Sequence, residues 1–177
     1  GRIEDTKGDF LHYVEGITPS VGKVIAMADL ERMRIAEALG AKPISLEEWL
    51  RYTYDAHGTT ICDALHMVTG YSTIKAPDTM DTRYISEDVP QSLVPISDMG
   101  RHLGIYTPTI DSIIHMASII HDNNYWKIRS LLVNPMTIAD LAKKMKWSEQ
   151  DIANFVTVST MCEKNGDRLF NAKYHMF

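Results

Sequence analysis

Two threonine–proline pairs, Thr18-Pro19 and Thr107-Pro108, set the tightest limit on how this chain can fold. A threonine hydroxyl can satisfy an orphan N–H at a helix start, and proline suits the first helical position, where no donor is lost. After the first pair, Val21, Val24, Ile25, Ala28, Ile35 and Leu39 recur near a helical period until Gly40 supplies a stop. This predicts a long central helix over about 19–39. Its other face carries Asp29, Glu31, Arg32 and Arg34, while Met27, Leu30 and Met33 widen the apolar area. That pattern predicts contact on more than one side, and Gly22 leaves room for a close neighbour. After the second pair come Ile110, Ile113, Ile114, Ala117 and Ile120, the cleanest amphipathic stripe in the chain and expected core.

The other elements also read as helices. Ser45-Leu46-Glu47-Glu48 has capping-box spacing and starts a helix toward Tyr54, with Trp49 and Leu50 on its apolar face. Thr60 with Asp63 starts another, carrying Ile61, Leu65 and Val68. Pro95 to His102 reads as a helix ended by Gly104. Further helices are expected over Asn124–Val133, after Thr137 and from Ser148 to a stop at Gly166, then a short strand or extended tail over 168–177. Gly1-Arg2-Ile3-Glu4 is expected to hold no element. No multi-strand pattern appears, so the fold class is all-α, a single multi-helix domain of 177 residues.

Composition excludes several function classes. Hydrophobic residues make up 45% and charged residues 23%, ordinary for a soluble globular chain. No apolar run is long enough to span a bilayer, and no signal peptide opens the chain, so a cytoplasmic setting is expected. Cys62 and Cys162 read as reduced thiols. The net charge of -5 is uneven: residues 1–124 hold 10 basic and 18 acidic residues, residues 125–177 hold 8 and 5. An acidic body argues against nucleic acid as a partner of the whole chain. His115 and His121, like His57 and His66, lack the i, i+4 spacing of paired metal ligands, so no metal is expected. No serine elbow or Cys–His nucleophile pattern is present.

The chemistry concentrates in Arg83-Tyr84-Ile85-Ser86-Glu87-Asp88-Val89-Pro90. Residues 70–93 read as a long loop between helices, with Val89 biased toward extended backbone by Pro90. Arg83 can grip a carboxylate with two parallel hydrogen bonds. Asp88 can orient and charge a histidine or hold a cation. The structural alternative is a surface loop whose arginine pairs with its own acidic neighbours.

Several dispersed segments resemble the opine dehydrogenases, the NAD/NADP octopine/nopaline dehydrogenase family. These are Phe10-Leu11-His12-Tyr13-Val14-Glu15-Gly16-Ile17-Thr18-Pro19-Ser20-Val21, Asp29-Leu30-Glu31-Arg32, the Arg83–Pro90 stretch with Leu93-Val94-Pro95-Ile96, Thr107-Pro108-Thr109-Ile110-Asp111 and Asn124-Tyr125-Trp126. The resemblance covers about 1–126, and residues 127–177 form a weakly matched tail. It implies a helical C-terminal catalytic domain of the 6-phosphogluconate-dehydrogenase-like type. It also implies reductive coupling of an amino acid to a 2-oxo acid with NAD or NADP as cofactor. The resemblance makes Asp88 the partner of a catalytic histidine and Arg83 the binder of the oxo-acid carboxylate.

The family's His-Pro motif and the GxGxxG fingerprint of its N-terminal Rossmann domain are absent from this chain. The nucleotide is therefore expected on that domain, as a partner of this one, and these 177 residues alone are expected to be inactive. A homodimer is a further expectation. Where the family continues with a glycine–arginine pair, this chain has Ile128-Arg129. Two other readings stay open. Thr137–Ala142 and Lys146–Ile152 resemble a helix-turn-helix that could meet nucleic acid, although Glu149 and Asp151 would repel phosphate. Another two-domain 2-oxo- or hydroxy-acid reductase would also use a helical C-terminal domain.

Overall fold

The computed structural model describes residues 1–127 and two short strands, β2 (Cys162–Lys164) and β3 (Asp167–Arg168). The helix expected after Thr137, the helix-turn-helix reading and most of the helix expected from Ser148 to Gly166 lie outside the described residues. So does most of the helix expected over Asn124–Val133, of which 125–127 form a 3-10 turn. The end of the helix expected from Ser148 is corrected, since Cys162–Lys164 pair as a strand. The described fold is all-α. Seven helices occur in order: α1 (Arg2–Thr6), α2 (Pro19–Ala38), α3 (Leu46–Tyr54), α4 (Ile61–Met67), α5 (Arg83–Ser86), α6 (Val94–His102) and α7 (Pro108–Ile120). The small strand β1 (Lys42–Pro43) pairs antiparallel with β2, and β2 with β3. Strands of two or three residues add a patch of backbone pairing and leave the class unchanged.

The helix starts follow the expected chemistry. Thr18 Oγ1 accepts from the Val21 N–H at 3.4 Å. Ser45 and Glu48 form a complete capping box, and Thr60 accepts from the Asp63 N–H at 3.1 Å. Gly22 sits where α4 crosses α2. A Cβ on it would lie 3.1 Å from the Cys62 Cβ, tighter than most real contacts, so glycine permits the crossing. Two apolar clusters result. One joins Ile35, Val89, Val94, Ile96, Ile110, Ile114 and Tyr125; the other joins Ile17, Leu50, Ile61, Ala64, Leu65 and Val68.

Helix α2 departs most from expectation. Two of its charged residues face inward, Glu31 at 1% exposed and Arg32 at 7%, while Arg34 stays exposed as expected. Val21, Val24, Met27 and Leu30 face outward and are exposed. The reason is hydrogen bonding. The Glu31 carboxylate accepts from the Thr109 N–H at 2.8 Å and the Ile110 N–H at 3.0 Å, capping α7 from a neighbouring helix. The Thr107 hydroxyl does not cap α7 and donates to Asp111 instead. Arg32 donates to Asp29 at 2.7 Å and to the Ile44 carbonyl at 2.6 Å, and Asp29 accepts from the Leu46 N–H at 2.8 Å. These side chains tie α2 to α7 and to the start of α3. On α7, Ile110, Ile114 and Ala117 are buried as expected, but Ile120 is half exposed.

Two further expectations are corrected. Residues 2–6 form α1, held where Arg2 donates to the Glu15 carbonyl at 2.7 Å and stacks over Phe10. Residues 70–93 are not one loop, since they hold α5 and a wide π turn, Val89–Leu93, that leads straight into α6. Val89 is helical and buried, not extended. Pro90 and Pro95, five apart, each lack an N–H donor. The Val94 N–H reaches back five residues to the Val89 carbonyl, and the wide turn accommodates both rings.

Removing the Glu31 carboxylate leaves two N–H groups at the buried start of α7 without acceptors. Glu31→Ala should therefore destabilise the chain by about 3 kcal/mol, with Glu31→Gln, which keeps one acceptor, losing less. Urea unfolding followed by circular dichroism reads this directly. Equal midpoints for wild type and Glu31→Ala would contradict the cap.

Candidate functional site

The site residues are set by backbone pairing between distant segments. The His12 N–H donates to the Ile74 carbonyl at 2.8 Å, and the Ala76 N–H donates to the Phe10 carbonyl at 3.0 Å. Residues 10–12 thus run antiparallel to 74–76. At the other end of this connection, His121 Nε2 donates to the Met80 carbonyl at 2.8 Å while its Nδ1 accepts from the Tyr125 hydroxyl at 2.7 Å. Both ring nitrogens of His121 are therefore committed to structure. With both ends of the connection fixed, α5 and the turn after it have a defined place.

Helix α5 carries Arg83 at its start, and Asp88 stands one turn further on. The Glu87 N–H bonds back to the Arg83 carbonyl at 2.9 Å and the Gln91 N–H to the Glu87 carbonyl at 2.9 Å, so the helical path continues past Asp88. Val89, buried in the core, fixes Asp88 at the margin. Arg83 and Asp88 are electrostatic neighbours. Partial burial raises the Asp88 pKa above the usual carboxylate range, Arg83 opposes the rise, and Glu87 adds to it. Arg83 is exposed, and its Nε lies 3.7 Å from a Glu87 carboxylate oxygen, an open ion pair one helical turn apart. The expected pairing of the arginine with an acidic neighbour is therefore present, but in a loose and solvent-exposed form worth little energy.

Aromatic rings that the sequence reading did not single out stand beside this pair. His12 stacks on Tyr84 with centroids 5.4 Å apart and planes 24° apart, and meets the edge of Tyr13 at 5.0 Å. Tyr13 stacks on Tyr71 at 4.2 Å, and the Tyr71 hydroxyl donates to that of Tyr54 at 3.3 Å. Trp49 meets Tyr54 edge-on. Burial pushes the Tyr13 phenol up, with Tyr84, Tyr54 and Asp88 adding to the effect. Desolvation holds His12 below the usual histidine range. Tyrosine density was the available signal: five of the eight tyrosines fall between residues 13 and 84. They follow no period, so pattern reading passes over them.

Cys62 and His66 lie 3.7 Å apart, but both meet the Ile17 carbonyl, at 3.2 and 2.9 Å. A carbonyl only accepts, so Nε2 carries a proton there and cannot act as base toward the thiol. Among the described residues no group of three or more His, Cys, Asp or Glu side chains could hold a metal ion.

Fold and site together define a helical domain that presents an arginine, a carboxylate and a set of packed rings. Residues 1–121 match the family model described as NAD/NADP octopine/nopaline dehydrogenase, alpha-helical domain, and the chain belongs to that family. It is 38% identical over 118 residues to an opine dehydrogenase of Arthrobacter sp. (strain 1C), covering 67% of this chain and 33% of that protein. It is 29% identical over 112 residues to the protein ocs of Agrobacterium vitis, covering 63% and 31%. A vitopine synthase of Allorhizobium ampelinum is 23% identical over 145 residues, covering 78% of this chain and 40% of its own length. The chain thus spans about a third of the length of the first two relatives.

The raised Asp88 pKa makes a sign-definite prediction. A carboxyl whose folded pKa exceeds its unfolded value stabilises the fold while protonated and loses that contribution as pH rises through the folded value. Asp88→Asn should therefore raise the urea midpoint at pH 7. The gain should fade as pH falls through the usual carboxylate range near 3.8. A gain that grows toward low pH would contradict the assignment.

Proposed function

We propose that this chain is the substrate-binding helical domain of an NAD(P)-dependent opine dehydrogenase, which joins the α-amine of an amino acid to a 2-oxo acid. The observation that carries this reading is the placement of Arg83 on α5 and Asp88 just before the π turn as electrostatic neighbours. In the proposed roles, the oxo-acid carboxylate displaces Glu87 and takes two parallel hydrogen bonds from the Arg83 guanidinium. The open 3.7 Å pair makes that exchange inexpensive. Among the described residues no hydrogen bond supports the Asp88 carboxylate, whose ionised form is disfavoured by burial. An imidazole from outside this chain would relieve both conditions, and Asp88 would fix its orientation and favour its protonated form.

The chemistry then divides simply. The amine attacks the oxo carbon and water leaves, giving an imine. A reduced nicotinamide, bound by the partner domain, would be the source of the hydride that reduces the imine. The imidazole held by Asp88 manages the proton, and Arg83 fixes the carboxylate next to the reacting carbon. The chain has no GxGxxG turn, so none of its residues is assigned to the nucleotide. The outward apolar residues of α2 and α7, including Val24, Met27, Met116 and Ile119, support a further protein surface packing on this domain. A Rossmann domain of the same protein is the proposed partner.

In the holoenzyme, Arg83→Ala should raise KM for the oxo acid by about 100-fold, the loss expected for one charge-assisted pair. KM for the amino acid should change by less than about twofold, and Arg83→Lys should fall between. Steady-state NAD(P)H oxidation with each substrate varied in turn measures this. An unchanged oxo-acid KM would remove Arg83 from the proposed role. Residues 1–177 alone should show no turnover with any substrate pair.

A further inference from the structure

The rings beside Asp88 have no part in the chemistry above, and their arrangement calls for an occupant. Tyr84 is 45% exposed and Tyr54 41%, a large apolar area to leave in water. They are also held in place by one another. The Tyr13–Tyr71 stack at 4.2 Å and the His12–Tyr84 stack at 5.4 Å fix four rings, and pairing of residues 10–12 with 74–76 fixes their backbone. Pre-fixed rings lose little freedom when something binds on them.

We infer that the cluster of His12, Tyr13, Tyr54, Tyr71 and Tyr84 is the subsite for the side chain of the amino-acid substrate, and that it selects a large apolar or aromatic side chain. The inference rests on the opine reading above. Tyr84 shares the short helix α5 with Arg83 and stacks on His12, and Tyr13 lies within electrostatic reach of Asp88, so the rings border the place where the oxo acid and the amine would join.

Polarity narrows the ligand class. The Tyr71 and Tyr54 hydroxyls bond to each other at 3.3 Å, so the surface on offer is mostly ring face and edge, with the Tyr13 and Tyr84 hydroxyls as its polar groups. The neighbouring carboxylates do not favour a cationic side chain. Glu87 already faces Arg83, and burial disfavours the charged form of Asp88, next to the same guanidinium. The imidazole of His12, partly buried against Tyr84 and Tyr13, favours its neutral form and offers no charge to an acidic side chain. A flat or branched apolar group gains ring contact and removes exposed surface at once.

The test compares amino acids in the holoenzyme at saturating oxo acid and NAD(P)H. L-phenylalanine and L-leucine should exceed glycine, L-alanine, L-arginine and L-aspartate in kcat/KM by at least about tenfold. Tyr84→Ala should raise KM for L-phenylalanine by about tenfold, leave that for L-alanine within about twofold, and not move the oxo-acid KM. Tyr84→Phe should restore the wild-type preference. Turnover that favours small or charged amino acids would overturn the ring subsite and leave the opine reaction standing. If no pair turns over, calorimetry with the same amino acids separates the two. Tighter binding of L-phenylalanine than L-alanine keeps the subsite and sinks the reaction, whereas equal or absent binding overturns both.

Discussion

A single buried carboxylate organises the described fold. Glu31 sits in the middle of α2, out of water, and closes the N-terminal end of α7 with two backbone hydrogen bonds. An isolated buried charge would be costly. Here it meets two N–H groups that have no acceptor within their own helix and the positive end of the helix dipole. Losing the carboxylate would orphan those donors, so the two helices are interdependent. Arg32 and Asp29, adjacent on α2, fasten the 44–46 connection in the same manner.

That lock reaches the site through packing. With α2 and α7 fixed against each other, Ile35, Ile110 and Ile114 form a floor that receives Val89 and Val94. Val89 lies next to Asp88 in sequence, so burying its side chain sets where the carboxylate emerges. Helix α5 and its Glu87-to-Arg83 backbone bond keep Arg83 and Asp88 on adjoining turns, and the π turn that follows carries the path past Pro90 into α6 without breaking it. The family model covers the lock, the turn and the rings alike.

Much of this was legible in the sequence. Caps at Thr18, Ser45 and Thr60, the stop at Gly104 and the Ile110–Ile114 stripe depend on neighbours within a few residues, which a sequence displays directly. The orientation of α2 was not legible. Its apolar and charged residues are intermixed, and only a partner 78 residues away, the start of α7, explains why Glu31 points inward. Thr107 misled for the same reason, since a distant carboxylate took over its capping role. Arg83 and Asp88 stand out in the sequence as charges at a fixed spacing, but the segment reads as loop because Pro90 ordinarily disfavours helix before it. The ring cluster was hidden because stacking between residues 12, 13, 71 and 84 has no sequence period.

The account turns on what occupies Arg83 and Asp88 when substrates are present. A crystal structure of the holoenzyme with a 2-oxo acid and a reduced nicotinamide tests this most directly. The account predicts the oxo-acid carboxylate in two-pronged contact with the Arg83 guanidinium at about 2.8 Å. It also predicts Glu87 turned away and an imidazole nitrogen hydrogen-bonded to the Asp88 carboxylate. An oxo acid bound elsewhere, with Arg83 still paired to Glu87 and Asp88 facing solvent, would contradict it.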